Sequence, residues 1–98
     1  MKIVKFMNWT CEVVEHEYAS GGLALRLVDI EDGSAIATAT VNMPEYELAE
    51  GEILLKGWSE NEGLPEALER AGIVELTGRA VANGFVQAPI ARYLGNIR

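Results

Sequence analysis

Apolar and polar residues alternate along this chain in short runs bounded by turn signals, the pattern of β-strands, and a helical period fits only one stretch. Residues 2–9 and 11–18 are rich in β-branched and aromatic side chains and read as two strands joined at Asn8 to Thr10. In the second, Cys11, Val13, Glu15 and Glu17 share one face, while Glu12, Val14, His16 and Tyr18 share the other. After a flexible Ala19-Ser20-Gly21-Gly22 turn, the run L-A-L-R-L-V-D-I sets Leu23, Leu25 and Leu27 on one face and Arg26 on the other, a half-buried strand. Glu31-Asp32-Gly33-Ser34 carries the Asp-Gly signal of a tight hairpin whose return strand is Ala35 to Asn42. There Ala35, Ala37, Ala39 and Val41 form one face and Ile36, Thr38 and Thr40 the other, and the small alanines are expected to let a helix pack close to the backbone.

Met43 to Gly51 holds Pro44 and several acids without periodicity and is expected to be an exposed crossing loop, followed by a short apolar strand over 52–57. Ser59 and Glu62 have capping-box spacing, but a helix begun there would enclose Gly63 and Pro65, so the one short helix is placed near 65–71. Leu64, Leu68 and Ala71 lie on one side of it, Glu66, Glu69 and Arg70 on the other, and Gly72 is placed to end it. Residues 73–81 read as a strand in which Gly78 marks a bulge or a close backbone approach. Asn83-Gly84 gives a second tight turn, Phe85 to Ala88 returns as a strand, Pro89 ends its ladder or places it at an edge, and Ile90 to Leu94 completes the chain. The pattern defines an α+β fold with six or seven mostly antiparallel strands and one short helix.

Composition narrows the function classes. Ninety-eight residues suit one domain, 1–98, and a 49% hydrophobic content with mean hydropathy of +0.08 is that of a folding globular chain. No apolar run approaches the roughly 18 residues of a membrane span and the N-terminus lacks a cleavable leader pattern, so a cytoplasmic protein without membrane contact is expected. A single cysteine forms no internal disulfide, and Cys11 with His16 is too sparse for a metal centre. Their odd spacing puts them on opposite faces of an unbroken strand, so Cys11 reads as a small buried hydrophobe and a Cys-His catalytic pair is disfavoured. A formal charge of −7 disfavours direct nucleic-acid binding. Fourteen acids and only two bases, Arg26 and Lys56, lie between Thr10 and Glu69, which is either an ordinary solvated surface or a surface for a basic partner.

The string W-S-E-N-E-G-L-P-E-A-L-E-R-A-G-I-V-E-L-T-G-R from Trp58, followed by G-F-V-Q-A-P-I, resembles a family of small bacterial and phage proteins of unknown function. The likeness extends upstream through A-T-A-T-V-N to the N-terminal strands. Its distinctive elements are Glu60-Asn61-Glu62-Gly63, Thr77-Gly78-Arg79, Gly84-Phe85-Val86 and Ala88-Pro89, to which no catalytic role attaches. The resemblance implies an accessory protein carried by phages, plasmids or conjugative elements, a context in which small proteins often act on host defence.

Three readings follow. The first is a non-enzymatic inhibitor whose acids mimic phosphate charge and occupy a basic site on a host defence or nucleic-acid-handling protein, in the manner of an anti-CRISPR. Its candidate residues are Glu45, Glu47, Glu50 and Glu52 on the crossing loop, with Asp29, Glu31 and Asp32 at the hairpin tip. The second is a small-ligand binder, a homo-oligomeric sponge for a signalling nucleotide, using Arg79 and Arg92 for phosphate and Trp58 and Phe85 for stacking. The third, an enzyme, rests only on Glu60, Glu62 and Arg79. Arg79 is expected to pair with Glu60 or Glu62, tying the turn before the helix to the strand after it. No side-chain set asks for a cofactor.

Overall fold

The computed structural model describes residues 2–95. Seven strands and one α-helix appear in chain order: β1 (Ile3–Phe6), β2 (Trp9–Glu17), β3 (Leu23–Asp29), β4 (Ala35–Thr38), β5 (Glu52–Leu54), a 3-10 turn (Ser59–Asn61), α1 (Leu64–Arg70), β6 (Val74–Asn83) and β7 (Val86–Tyr93). All pairings are antiparallel, in a four-stranded sheet of order β1-β2-β3-β4 and a three-stranded sheet of order β5-β7-β6. This is the α+β fold that the residue pattern predicts.

The sheets join where the chain changes partners. The amide of Ala39 donates to the Leu25 carbonyl on β3, but the Ala39 carbonyl accepts from Lys56, and Val41 donates to Leu54. An isolated bridge between Thr40 and Leu55 completes this corner. The return strand therefore stops at Thr38 rather than Asn42, and the strand expected over 52–57 ends at Leu54 for the same reason. At the opposite side α1 packs on both β1 and β6, so the strands curl around one core closed by the helix. That core takes Val4, Phe6, Cys11, Val13, Leu25 and Leu27 from the first sheet, and Ile53, Val74, Ala91 and Tyr93 from the second. Leu64 and Leu68 of the helix lie in the same core. A smaller cluster, Leu54, Ala88 and Ile90, lies on the outer face of the second sheet, covered by Met43, Leu48 and Trp58.

α1 starts with Gly63 at φ 86° and carries Pro65 in its first turn, where no intrahelical partner waits for an amide. It buries Leu64, Pro65, Ala67 and Leu68 and exposes Glu66 and Glu69. Its end is a Schellman closure: Ile73 donates to the Leu68 carbonyl and Gly72, at φ 76°, donates to that of Glu69, each at 3.0 Å. Two expectations fail here. Ala71 is exposed, because it is the C-cap and lies past the last buried turn. The alanines of β4 do not receive the helix, since Ala35 is exposed and Ala37 only half-buried while α1 sits across the gap between β1 and β6.

Three turns also differ from their sequence signals. The first hairpin turns at Met7-Asn8, with Phe6 opposite Trp9, so Trp9 and Thr10 belong to β2. The second is a wider loop over 30–34, in which the Asp29 and Asp32 carboxylates accept from the amides of Glu31 and Ser34, so aspartate side chains replace the bonds of a two-residue turn. The third turns at Gly84-Phe85, with a positive φ at Gly84 alone. Gly78 does mark a bulge: three residues, Thr77 to Arg79, stand between the pairs Leu76–Ala91 and Ala80–Pro89, where β7 has only Ile90. Pro89 does not end β7. Its carbonyl accepts from Leu55, one residue past the end of β5, so its missing amide falls at the last contact of that ladder.

Leu68 is fully buried at the helix–sheet contact. Leu68→Ala is expected to lower unfolding stability by about 2–5 kcal/mol, read by urea denaturation with an unchanged slope. A loss below about 1 kcal/mol would show that α1 is peripheral to the core.

Candidate functional site

The two acidic groups lie at opposite ends of the first sheet. The loop carrying Asp29, Glu31 and Asp32 sits beside the first hairpin, where Ile30 donates to the Thr10 carbonyl at 3.1 Å. The loop carrying Glu45, Glu47 and Glu50 starts beside the turn after β2, where Ser20 Oγ donates to Asn42 Oδ1 at 3.1 Å. The seven residues of β3 separate them, roughly 20 Å of strand, so they form two patches. Met43 and Leu48 anchor the second loop on the outer cluster, which leaves Glu45 and Glu47 between two apolar attachments and pointing to solvent. Glu31, Asp32 and Glu50 are exposed as well, and Asp29 is half-buried. Hydrogen bonds from Ser34 hold the Asp32 carboxyl below the usual aspartate range.

Glu52 differs from the other acids. Its carboxylate accepts from the Arg79 guanidinium and from the Ala49 amide, and only 13% of its side chain is exposed. Arg79 thus meets Glu52 rather than Glu60 or Glu62, because β7 brings β5 and β6 into one sheet and the long arginine reaches across it. Within that bulge Thr77 Oγ1 donates to the Ile90 carbonyl and accepts from the Arg79 amide. Glu60 is held instead by Lys56 at 2.6 Å, which also keeps its carboxyl below the usual range. Asn61 is fully buried, and its Nδ2 donates to the Thr38 carbonyl at 2.8 Å, covering the edge of β4. Glu60, Glu62 and Arg79, on which an enzyme reading rests, therefore do not converge.

Arg92 pairs with Glu75, its cross-strand neighbour, at 2.9 Å. Trp58 packs on the outer cluster, while Phe85 stands fully exposed at the β6–β7 tip. A cleft of about 310 Å³ opens between the turn after β2 and the 43–51 loop, lined by Tyr18, Asn42, Met43, Tyr46, Leu48 and Glu52 among others. Shallower grooves lie beside His16 and Leu23 and beside Lys5 and Arg70. None of these three is lined by Trp58, Arg79, Phe85 or Arg92.

One polar cluster escaped the residue pattern. Tyr93, on the inner face of β7, donates its phenol to the Glu15 carboxylate, and Lys2 lies 3.8 Å from Glu15 and 6.0 Å from the Tyr93 ring centre. Burial, then the bond to Glu15 and its charge, push the phenol above its ordinary value. Its only advance signal was that Glu15 shares a face with Cys11 and Val13, so a carboxylate was bound for the rim of the core. Gly95 lies so close to this ring that a Cβ there would clash with it. Cys11 is fully buried, with its thiol pushed up by burial and then by Asp29, which keeps it protonated and a poor nucleophile. His16 points to the other face of β2 and is exposed.

Fold and surface together define a small two-sheet α+β domain whose exposed chemistry is dominated by carboxylates. No family model matches the chain, and no curated protein or solved structure matches it.

Because the Tyr93 pKa is raised in the folded state, the native protein holds this proton more tightly than the unfolded chain does. Its stabilising contribution is complete below the ordinary phenol value of about 10 and is lost as pH rises through the higher folded value. Tyr93→Phe is expected to cost about 0.5–1.5 kcal/mol at neutral pH and to flatten the fall in stability above pH ~10. Melting curves of both proteins across that range check this, and parallel alkaline slopes would show that another group governs it.

Proposed function

We propose that this protein acts without catalysis, binding a basic surface of another protein through its exposed carboxylates and blocking it. The observation that carries this reading is the asymmetry of pairing. Among the described residues, Glu52 alone of the seven candidate acids is in an ion pair, while both candidate ligand-binding arginines, Arg79 and Arg92, are already held by carboxylates. Among the described residues Glu31, Asp32, Glu45, Glu47 and Glu50 are exposed with no base within salt-bridge reach. Carboxylates fixed on loops by Asp-amide bonds and by the Met43 and Leu48 anchors present charge with little ordering left to do on binding. Their separation suits a partner whose basic surface extends across both patches, as a phosphate-binding groove does. The resemblance to proteins of phages and conjugative elements gives this a biological setting: an accessory factor of mobile DNA that inhibits a host defence or nucleic-acid-handling protein. Support for the nucleotide-sponge reading is thinner, since it needs two arginines released from their carboxylates and a wall that Phe85, alone at its tip, does not form.

Capture from a bacterial lysate at low salt, followed by mass spectrometry of what is retained, identifies the partner. Its affinity is expected to fall at least about tenfold between low and moderate salt. Glu45→Gln, Glu47→Gln and Glu50→Gln combined, and separately Asp29→Asn, Glu31→Gln and Asp32→Asn, are expected to reduce association rate more than dissociation rate. Affinity insensitive to salt and to both sets rejects the proposal, and retention of a nucleotide instead of a protein favours the sponge.

A further inference from the structure

We infer that the distal half of the β6–β7 hairpin is a self-association edge, through which a second copy of this chain adds antiparallel to residues Ala80–Asn83.

Between Arg79 and Arg92 the chain carries no charge, in a protein whose formal charge is −7. Two copies of so acidic a chain repel over most of their surfaces, and this neutral stretch is where that repulsion is least. It is also where a strand edge stays open. The β1 edge carries Lys2 and Lys5 and lies against α1, the Thr38 carbonyl of β4 is taken by Asn61, and β5 is bridged by Thr40 and Val41. On β6 itself, Leu76 donates its amide to Glu69 and Arg79 donates to Thr77, which blocks the edge as far as the bulge. Beyond it no such cover exists among the described residues: β6 is the outer strand of its sheet, and Ala80 and Ala82 are exposed. Natural edges are commonly blunted by charge, by proline or by a bulge, and these four residues have none of those.

The register fixes which groups are free. The hairpin closes on the Asn83–Val86 pair, so the peptide groups of Asn83 and Val81 face β7, and those of Ala80 and Ala82 face outward. The Pro89 carbonyl, turned toward Leu55 at the Ala80–Pro89 pair, agrees with this phase. A twofold axis through Val81 then sets Ala80 opposite Ala82 of the partner subunit and the reverse, with each pair exchanging two hydrogen bonds. Small alanine side chains let the strands meet without obstruction. The same register brings the Gly84-Phe85 tip alongside the bulge of the second copy, which gives the exposed Phe85 ring a surface to rest on.

Sedimentation velocity from micromolar to millimolar protein, at salt high enough to screen the net charge, is expected to show a monomer–dimer equilibrium. Ala82→Pro removes an outward amide while leaving the β6–β7 ladder intact, and is expected to be monomeric throughout with an unchanged melting temperature at low concentration. Phe85→Ser is expected to weaken association at least about tenfold. Register is tested by cysteine: Val81→Cys places two thiols across a non-hydrogen-bonded pair and is expected to give a disulfide-linked dimer under mild oxidation. Ala82→Cys is expected not to, and buried Cys11 takes no part in either. A monomer across the whole range, a dimer that survives Ala82→Pro, or equal cross-linking at positions 81 and 82 overturns the inference, the first leaving the edge to an extended segment of a different protein.

Discussion

Three residues, Ala39 to Val41, carry the junction on which the rest of the fold depends. By bonding backward to β3 and forward to the end of β5 and the two residues after it, Leu54 to Lys56, they turn two sheets into one curled wall. Thr40 makes this tolerable in a dry interior: it is 4% exposed, its hydroxyl accepts from the Leu25 amide at 3.2 Å, and it shares a 2.9 Å hydrogen bond with Tyr18. A valine of similar shape would leave that buried amide without a partner, a cost of about 1–3 kcal/mol. Because the corner sets where the second sheet begins, it also sets where the 43–51 loop leaves and returns, and so where Glu45, Glu47 and Glu50 project.

Charge is distributed by the same geometry. Each of the four ion pairs among the described residues joins elements that the fold has already brought together: Lys2 to Glu15 across the first hairpin, Lys56 to Glu60 along one turn, and Arg79 and Arg92 to Glu52 and Glu75 on the second sheet. Three of the four bases in these pairs lie outside the acidic span between Thr10 and Glu69. The second sheet is therefore balanced, while the loops at the two ends of the first keep unpaired carboxylates. Exposed pairs of this kind each contribute only about 0–1 kcal/mol, so the balance is not what holds the sheet together; the Leu54, Ala88 and Ile90 cluster and the main core do that. What the pairs change is the field, by neutralising the second sheet and leaving the carboxylates of the two loops, with Glu17, Glu62, Glu66 and Glu69, outside any ion pair among the described residues.

Strand existence, the helix from Leu64 and the bulge at Gly78 were legible because each rests on a local rule: alternation, proline with glycine at the helix ends, and glycine within a strand. What escaped depends on residues far apart in sequence. The alanines at 35 and 37 show the pattern of a helix-packing face, yet the partner change at Ala39 turns that strand away before the helix can reach it. Arg79 meets Glu52 rather than Glu60 or Glu62 because the pairing of β5, β7 and β6 brings together residues 27 apart in sequence, which no local pattern shows. Pro89 reads as a strand end because it lacks an amide, yet β7 continues through it because that amide is missing only at the last contact with the β5 segment, a position set by how long β5 is. The two acidic groups were identified as segments, but their placement at opposite ends follows only from the pairing of β2, β3 and β4.

The neutral hairpin and the acidic loops constrain each other. Uniform acidity would keep copies of this domain apart, and uniform neutrality would leave a basic partner without direction, so a chain with acidic loops and an uncharged stretch from Ala80 to Ala91 permits self-association and recognition at separate places. A twofold dimer built on β6 would present each acidic loop twice, in fixed relation. If a partner's basic surface is long enough to meet both copies, the second contact becomes intramolecular and the overall affinity exceeds that of either patch alone without any new contact. Charge contacts that are individually weak and salt-sensitive would then act together, and the uncharged segment would raise the strength of a site to which it contributes no charge.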